Sequence, residues 1–165
     1  MEYYVRSAVL ALGLLILQTT FIPFLSIGGF LPDLFVIWIV YVAIRRGQLE
    51  ASVAGFVVGF LQDALAAQFF GLGAFSKTIC GFIAGYFFNE NNTEQTLGSY
   101  RFLLIVLFCS AIHNFIYFGI FLQGVQDSVL LRTIEFTLAT SMYTGVVSIL
   151  PLFAFVRKYR ISQSL

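Results

Sequence analysis

The chain has 165 residues, of which 59% are hydrophobic and 10% charged, whereas soluble domains carry about a quarter charged residues. Its mean hydropathy is +0.92, and a globule this small cannot bury so much apolar surface. An ordinary soluble domain is therefore excluded, leaving an all-α polytopic membrane protein formed as one transmembrane domain over residues 1–165. The formal net charge of +1 and the absence of a Lys/Arg cluster give no footing for nucleic acid.

Polar, glycine or proline punctuation sets off six apolar segments, at about 7–25, 31–44, 51–69, 72–88, 102–122 and 133–156. The first, Ser7 to Leu25, follows Arg6. It is longer than a signal-peptide core of about 7–15 residues and no A-x-A-like site follows it, so it is read as a retained span. The second and fourth are short for a hydrocarbon core of about 30 Å, which calls for snorkelling flanks, a thinned bilayer or a broken helix.

The second segment opens with Leu31, Pro32 and Asp33 after Gly28 and Gly29. Proline suits the first helical position, where its missing N–H has no partner to lose, and an acid in the first turn suits the positive helix end. Asp33 is also a candidate for a contact at the outer surface, and Pro32 and Asp33 together are candidate partner-binding positions.

The stretch from Ala51 to Phe88 is symmetric about Phe70. Gly55, Gly59 and Asp63 come at four-residue steps before it, and Lys77, Gly81 and Gly85 at four-residue steps after it. Two helices folded back at that point set glycine against glycine and the carboxylate against the ammonium. Gly55, Gly59, Gly81 and Gly85 are thus expected at a helix-packing or partner-binding face. Asp63 and Lys77 are expected to pair, because an unpaired charge in mid-membrane costs roughly 2.5–3.5 kcal/mol; a ligand or proton site is the functional alternative.

His113 and Asn114 fall near the middle of the fifth segment. They are candidates for a polar pocket or proton relay, or for hydrogen bonds across helices. In the sixth, Thr133, Thr137, Thr140, Ser141, Thr144, Gly145 and Ser148 recur at helical spacing. That pattern fits a face packed on other helices, or the lining of a cavity. Glu135, three residues after Arg132, is placed for a local pair. Cys80 and Cys109 lie in apolar runs and are read as buried thiols.

Orientation is set by the basic residues. With a cytoplasmic N-terminus, Arg6, Arg45, Arg46, Arg101, Arg157, Lys158 and Arg160 are inside, Arg132 is outside and Lys77 lies within a span. Both termini are therefore expected in the cytoplasm, with the turn around Gln68 to Gly73 facing outward. A re-entrant hairpin over 51–88 keeps the same ends. No HExxH, GxSxG, Walker loop, Cys/His cluster or paired carboxylates occur, so neither an enzyme nor a metal or cofactor site is expected.

Taken in order, Gln18 in the first span, Pro32-Asp33, Tyr41 and Gly47, then Gly55-x3-Gly59-x3-Asp63 and Gly71 resemble the bacterial rod shape-determining protein MreD family. The resemblance covers about the first half of the chain. It implies a non-enzymatic subunit of the cell-elongation machinery in the bacterial inner membrane, and a six-helix arrangement similar to the substrate-binding subunits of energy-coupling-factor transporters. The implied partners are an MreC-like membrane protein and, through it, MreB-like filaments and a peptidoglycan synthase of the RodA and penicillin-binding protein 2 type. A small-molecule-binding transporter subunit, with Asp63, His113 and Asn114 lining a pocket open to the outside, is the competing expectation.

Overall fold

The computed structural model describes residues 2–66, 69–123 and 128–163, with side chains described from Val5 to Arg157 among them. Gln68, placed by the sequence in the hairpin turn, and the side chains of Lys158 and Arg160 lie outside the described residues. Among the described residues seven α-helices follow one another: α1 (Glu2–Ile16), α2 (Leu34–Arg46), α3 (Gln48–Ala66), α4 (Leu72–Ala84), α5 (Thr93–Leu97), α6 (Tyr100–Phe121) and α7 (Val129–Gln163). No sheet forms among the described residues, where one isolated antiparallel bridge joins Ile27 and Phe30.

Among the described residues, four segments are long and apolar enough to cross a bilayer: Val5–Leu25, Gln48–Ala66, Tyr100–Phe121 and Val129–Arg157. The shorter α2 is apolar on every side. Phe35, Val36, Ile37, Ile39, Val40, Val42, Ala43 and Ile44 are all buried, as expected of a helix enclosed by others rather than one facing lipid. Phe102, Ile105, Val106 and Cys109 of α6 and Ala51 and Val58 of α3 share this core. With α2 as its central rod, the bundle needs no thinned bilayer around that helix.

The first apolar segment is not one continuous α-helix. Beyond α1 the chain widens into a π turn over Leu17–Phe21 and then tightens into a 3₁₀ turn over Ile22–Leu25, where Pro23 ends regular helix. Thr19 Oγ1 donates back to the carbonyls of Leu15 and Ile16 at 2.8 and 3.3 Å, supporting the wide turn. Exposed Val5, Val9, Leu10, Leu12 and Ile16 leave α1 largely outside the core.

The two tight connections each require glycine. Gly47 ends α2 at φ 85° and lets α3 start at once, while Gly71 precedes α4 at φ 95°; both angles lie where a side chain is strained. At the far end of the bundle from Gly71, Arg45 pairs with Glu94 at 2.7 Å. The Phe88 ring lies beside Gly47 there, and Thr93 Oγ1 reaches the Ile44 carbonyl at 3.4 Å.

The hairpin register differs from the symmetric one. A Cβ on Gly55 would strike the Lys77 carbonyl, one on Gly59 the backbone at Gly73 and Ala74, one on Gly81 the Ala51 carbonyl, and one on Gly85 the backbone of Gln48. Each glycine therefore meets the bare backbone of the opposite helix, not the glycine paired with it by symmetry. Sliding from Gly85 to Lys77 opposite Gly55 is a shift of about two helical turns. The turn between Ala66 and Leu72 lies close to Phe70 and accounts for little of this shift; Asp63, bonded to the N–H groups of Gly71 and Ala74, holds the slid register. These four positions are sealed inside the α3/α4 contact, so they hold the protein's own helices together and offer no surface to a partner.

Replacing Gly55 or Gly81 by leucine is expected to lower the thermal midpoint of the detergent-purified protein, with a cost of at least about 1–3 kcal/mol for overpacking. Gly13, whose Cβ would meet nothing within 4 Å, provides the control. Equal midpoints for Gly13→Leu and Gly55→Leu would contradict the close approach.

Candidate functional site: a buried carboxylate cluster

Helix α2 begins inside the bundle, so its first N–H groups find no water and must be satisfied by protein. Asp33 does this as the N-cap: its Oδ1 accepts from Phe35 N at 2.9 Å and Val36 N at 3.4 Å. The helix thus starts at Leu34, and Pro32 and Asp33 precede it; neither occupies the first turn as the sequence pattern predicts. The other oxygen, Oδ2, lies 2.9 Å from Lys77 Nζ of α4 and 3.3 Å from His113 Nε2 of α6. Only 8% of Asp33 is exposed and 2% of Lys77, so this is an ion pair removed from solvent.

The expected Asp63–Lys77 pair is therefore replaced by Asp33–Lys77. In the shifted register Asp63 sits beside the start of α4. Its Oδ2 accepts from Gly71 N at 3.0 Å and Ala74 N at 3.1 Å, and the same carboxylate fills the space beside Gly73. A carboxylate at a helix start is stabilised by the unpaired N–H groups and the dipole there. Asp63 needs no ammonium, and Lys77, one turn further along α4, turns to Asp33.

The rest of the chain closes around this point. The Gln18 amide in the π turn donates to Pro32 O at 3.0 Å and accepts from Leu34 N at 3.1 Å, bridging the residues on either side of Asp33. From α7, Thr144 Oγ1 accepts the Asp33 N–H at 3.1 Å and donates to Thr140 O at 2.8 Å. Asn114 Nδ2 donates to Ser110 Oγ on its own helix and to Ser141 Oγ on α7, each at 3.1 Å. The hydroxyl face of α7 is buried throughout, from Thr133 to Ser148, and Gly145 admits Leu107 of α6.

Of the residues singled out in the sequence, Asp33, Asp63, Lys77, His113 and Asn114 line one cavity of about 160 Å³. Gln18, Gln62, Tyr117 and Thr140 complete its polar wall. Gln62 was not expected there; its Oε1 is buried without a hydrogen-bond partner among the described residues. Gln62 adjoins Asp63 in the sequence, but nothing local shows which helix face points inward. Pro32 is fully buried beside the cluster, and Gly55, Gly59, Gly81 and Gly85 lie away from it in the hairpin contact.

The family model for rod shape-determining protein MreD matches residues 3–161. The chain belongs to the MreD family of rod shape-determining proteins. Its place is thus in cell-shape determination, as a transmembrane protein with apolar helices. Comparisons with characterised proteins and with solved structures give no match. Within this MreD family chain the residues that carried the resemblance have structural tasks: Gln18 and Pro32-Asp33 build the cluster, and Gly47 and Gly71 make the left-handed turns. Tyr41 stacks on Phe155 at 5.2 Å with the Arg45 guanidinium 5.4 Å from its ring centre.

Two substitution cycles separate the observed pair from the expected one. Asparagine caps a helix about as well as aspartate, so Asp33→Asn removes the charge, strands Lys77 and is expected to cost about 3–5 kcal/mol. Adding Lys77→Met should recover part of that loss, with coupling above about 0.5 kcal/mol, whereas Lys77→Met added to Asp63→Asn should bring no such recovery. Thermal or denaturant unfolding of the single and double variants measures both. Coupling of Lys77 to Asp63 instead of Asp33 would reverse the assignment.

Proposed function

We propose that the protein is a non-enzymatic inner-membrane scaffold of the rod-shape machinery that binds the single transmembrane helix of an MreC-like protein. Through that partner it helps couple MreB-like filaments to a RodA/penicillin-binding protein 2 type synthase. The observation that carries this reading is the family match over nearly the whole chain. The polypeptide crosses six times, in an arrangement similar to the substrate-binding subunits of energy-coupling-factor transporters, with both termini in the cytoplasm. In support, Arg45, Arg46 and Arg101 share the end of the bundle opposite Asp33, and α2 and α4 are joined to their neighbours by short turns.

A place for a partner helix is supported by the loose seating of α1. An apolar groove of about 420 Å³ runs between α1 and α7 over Trp38 and Tyr41, edged by Leu10, Leu14 and Leu150. A second, of about 380 Å³, lies between α1 and α3 on the other side of Trp38. Without water to drive helices together in lipid, a partner gains by filling such grooves at van der Waals contact.

Leu10 and Leu150 are 58% and 73% exposed, so tryptophan at both fills the groove without disturbing the core. Co-purification with the MreC-like partner is expected to fall several-fold while the thermal midpoint stays fixed; undiminished association would remove the groove from the interface. In the same cells, Phe70→Cys, 64% exposed in the turn, should react with an impermeant external thiol reagent over a silent background of buried Cys80 and Cys109. Protection of that cysteine would reject the outward-facing turn.

The second reading, a small-molecule-binding subunit, is favoured by one observation: Asp63, His113 and Asn114 line the same cavity, beside the unpartnered Gln62 Oε1. A compact polar ligand that donates a hydrogen bond to Gln62 would stabilise the folded protein by mass action. Screening water-soluble vitamins by thermal shift tests it. A rise in midpoint that is lost in Gln62→Leu is the supporting result, and no shift from any compound at millimolar concentration counts against this reading.

A further inference from the structure

At the basic end of the bundle, a cleft of about 450 Å³ opens between the end of α4 and the start of α6. Its walls divide by polarity. Phe87, Leu104 and Ile105 line the part beside the membrane-spanning length of α6, and Asn89, Asn92, Thr96 and Arg101 line the part beside the connecting turns. Tyr86, 71% exposed, also lines it, an amphipathic ring of the kind that settles at a bilayer interface.

Arg101 is exposed and lacks an ion-pair partner among the described residues. By contrast, Arg45 is held by Glu94 at 2.7 Å, Arg46 approaches Glu50 at 4.0 Å and Arg132 is held by Glu135 at 3.0 Å. The acids nearest in sequence do not neutralise it: Glu94 is occupied by Arg45, and Glu90 is not part of the cleft wall. An unneutralised guanidinium above an apolar slot presents anion recognition and acyl-chain contact on one surface.

We propose that this cleft binds one anionic phospholipid, with its phosphate on Arg101 and the amides of Asn89 and Asn92, and one acyl chain along Phe87, Leu104 and Ile105. A dissolved phosphate ester would engage only the polar half, and a zwitterionic lipid would bring its own cation to the guanidinium. The occupant is therefore a lipid of net negative charge, the kind that concentrates basic residues at the cytoplasmic leaflet.

The test uses the full-length protein purified in detergent, incubated with phosphatidylglycerol or phosphatidylcholine and examined by native mass spectrometry. Phosphatidylglycerol should be retained preferentially. Arg101→Gln should lower that retention about five-fold, near the contribution of one cation close to an anionic surface, and Arg101→Lys should preserve most of it. Arg6→Gln, another basic residue in the same orientation but outside the cleft, should change nothing, and millimolar glycerol 1-phosphate should not displace the lipid. Equal retention of the two lipids, wild-type retention by Arg101→Gln, an equal loss in Arg6→Gln, or complete displacement by glycerol 1-phosphate would each overturn the assignment.

Discussion

The structure depends on starting a helix where there is no water. At 13 residues each, α2 and α4 extend about 20 Å at 1.5 Å per residue, well short of a hydrocarbon core of about 30 Å. Their first turns therefore open inside the protein with unpaired N–H groups. Each is met by a carboxylate, Asp33 from the residue preceding α2 and Asp63 from the last turn of α3. Asp63 is stabilised by backbone N–H groups. Asp33 has an oxygen to spare, and Lys77 and His113 occupy it.

That second oxygen turns a local cap into a junction. The turn of Gln18 reads the backbone on both sides of Asp33, α4 supplies Lys77, α6 supplies His113, and α7 supplies Thr144. Removing any one partner leaves a polar group in a place where water cannot replace it, so the elements are fixed relative to one another by more than shape. The π turn after α1 belongs to this arrangement, since it sets Gln18 against Pro32 and Leu34 where the chain is leaving regular helix.

Much of the frame was legible in the sequence because it is local. The apolar segments, the glycine faces at four-residue steps, the hydroxyl face of α7 and the Arg132–Glu135 pair follow from periodicity within single helices. Relative register does not. Glycines at four-residue steps fix which side of each helix makes contact but are indifferent to sliding by whole turns. The slid register is held by Asp63 accepting from the N–H groups of Gly71 and Ala74. Once it slides, Lys77 leaves Asp63, and its partner comes from a residue whose charge local rules had already assigned to a helix start. The inward aim of Gln62 was hidden for the same reason, as it depends on the rotation of α3 against helices distant in sequence.

The saturation of this junction bears on where recognition can occur. Both oxygens of Asp33 are engaged, and Asn114 is bonded across to Ser141. A ligand competing for these groups would first have to break contacts that hold four helices. What remains open among the described residues is Gln62 Oε1 and His113 Nδ1 in the cavity wall, the Thr133 and Thr137 hydroxyls of α7, the grooves beside α1 and the cleft under Arg101. Polar capacity in the interior is largely spent on starting helices within the bundle, while the exposed side of α1 and the basic rim keep unsatisfied surface. A fixed core with unsaturated edges suits the proposed scaffold role, because partners can be exchanged at the edges without unpairing the charges at the centre.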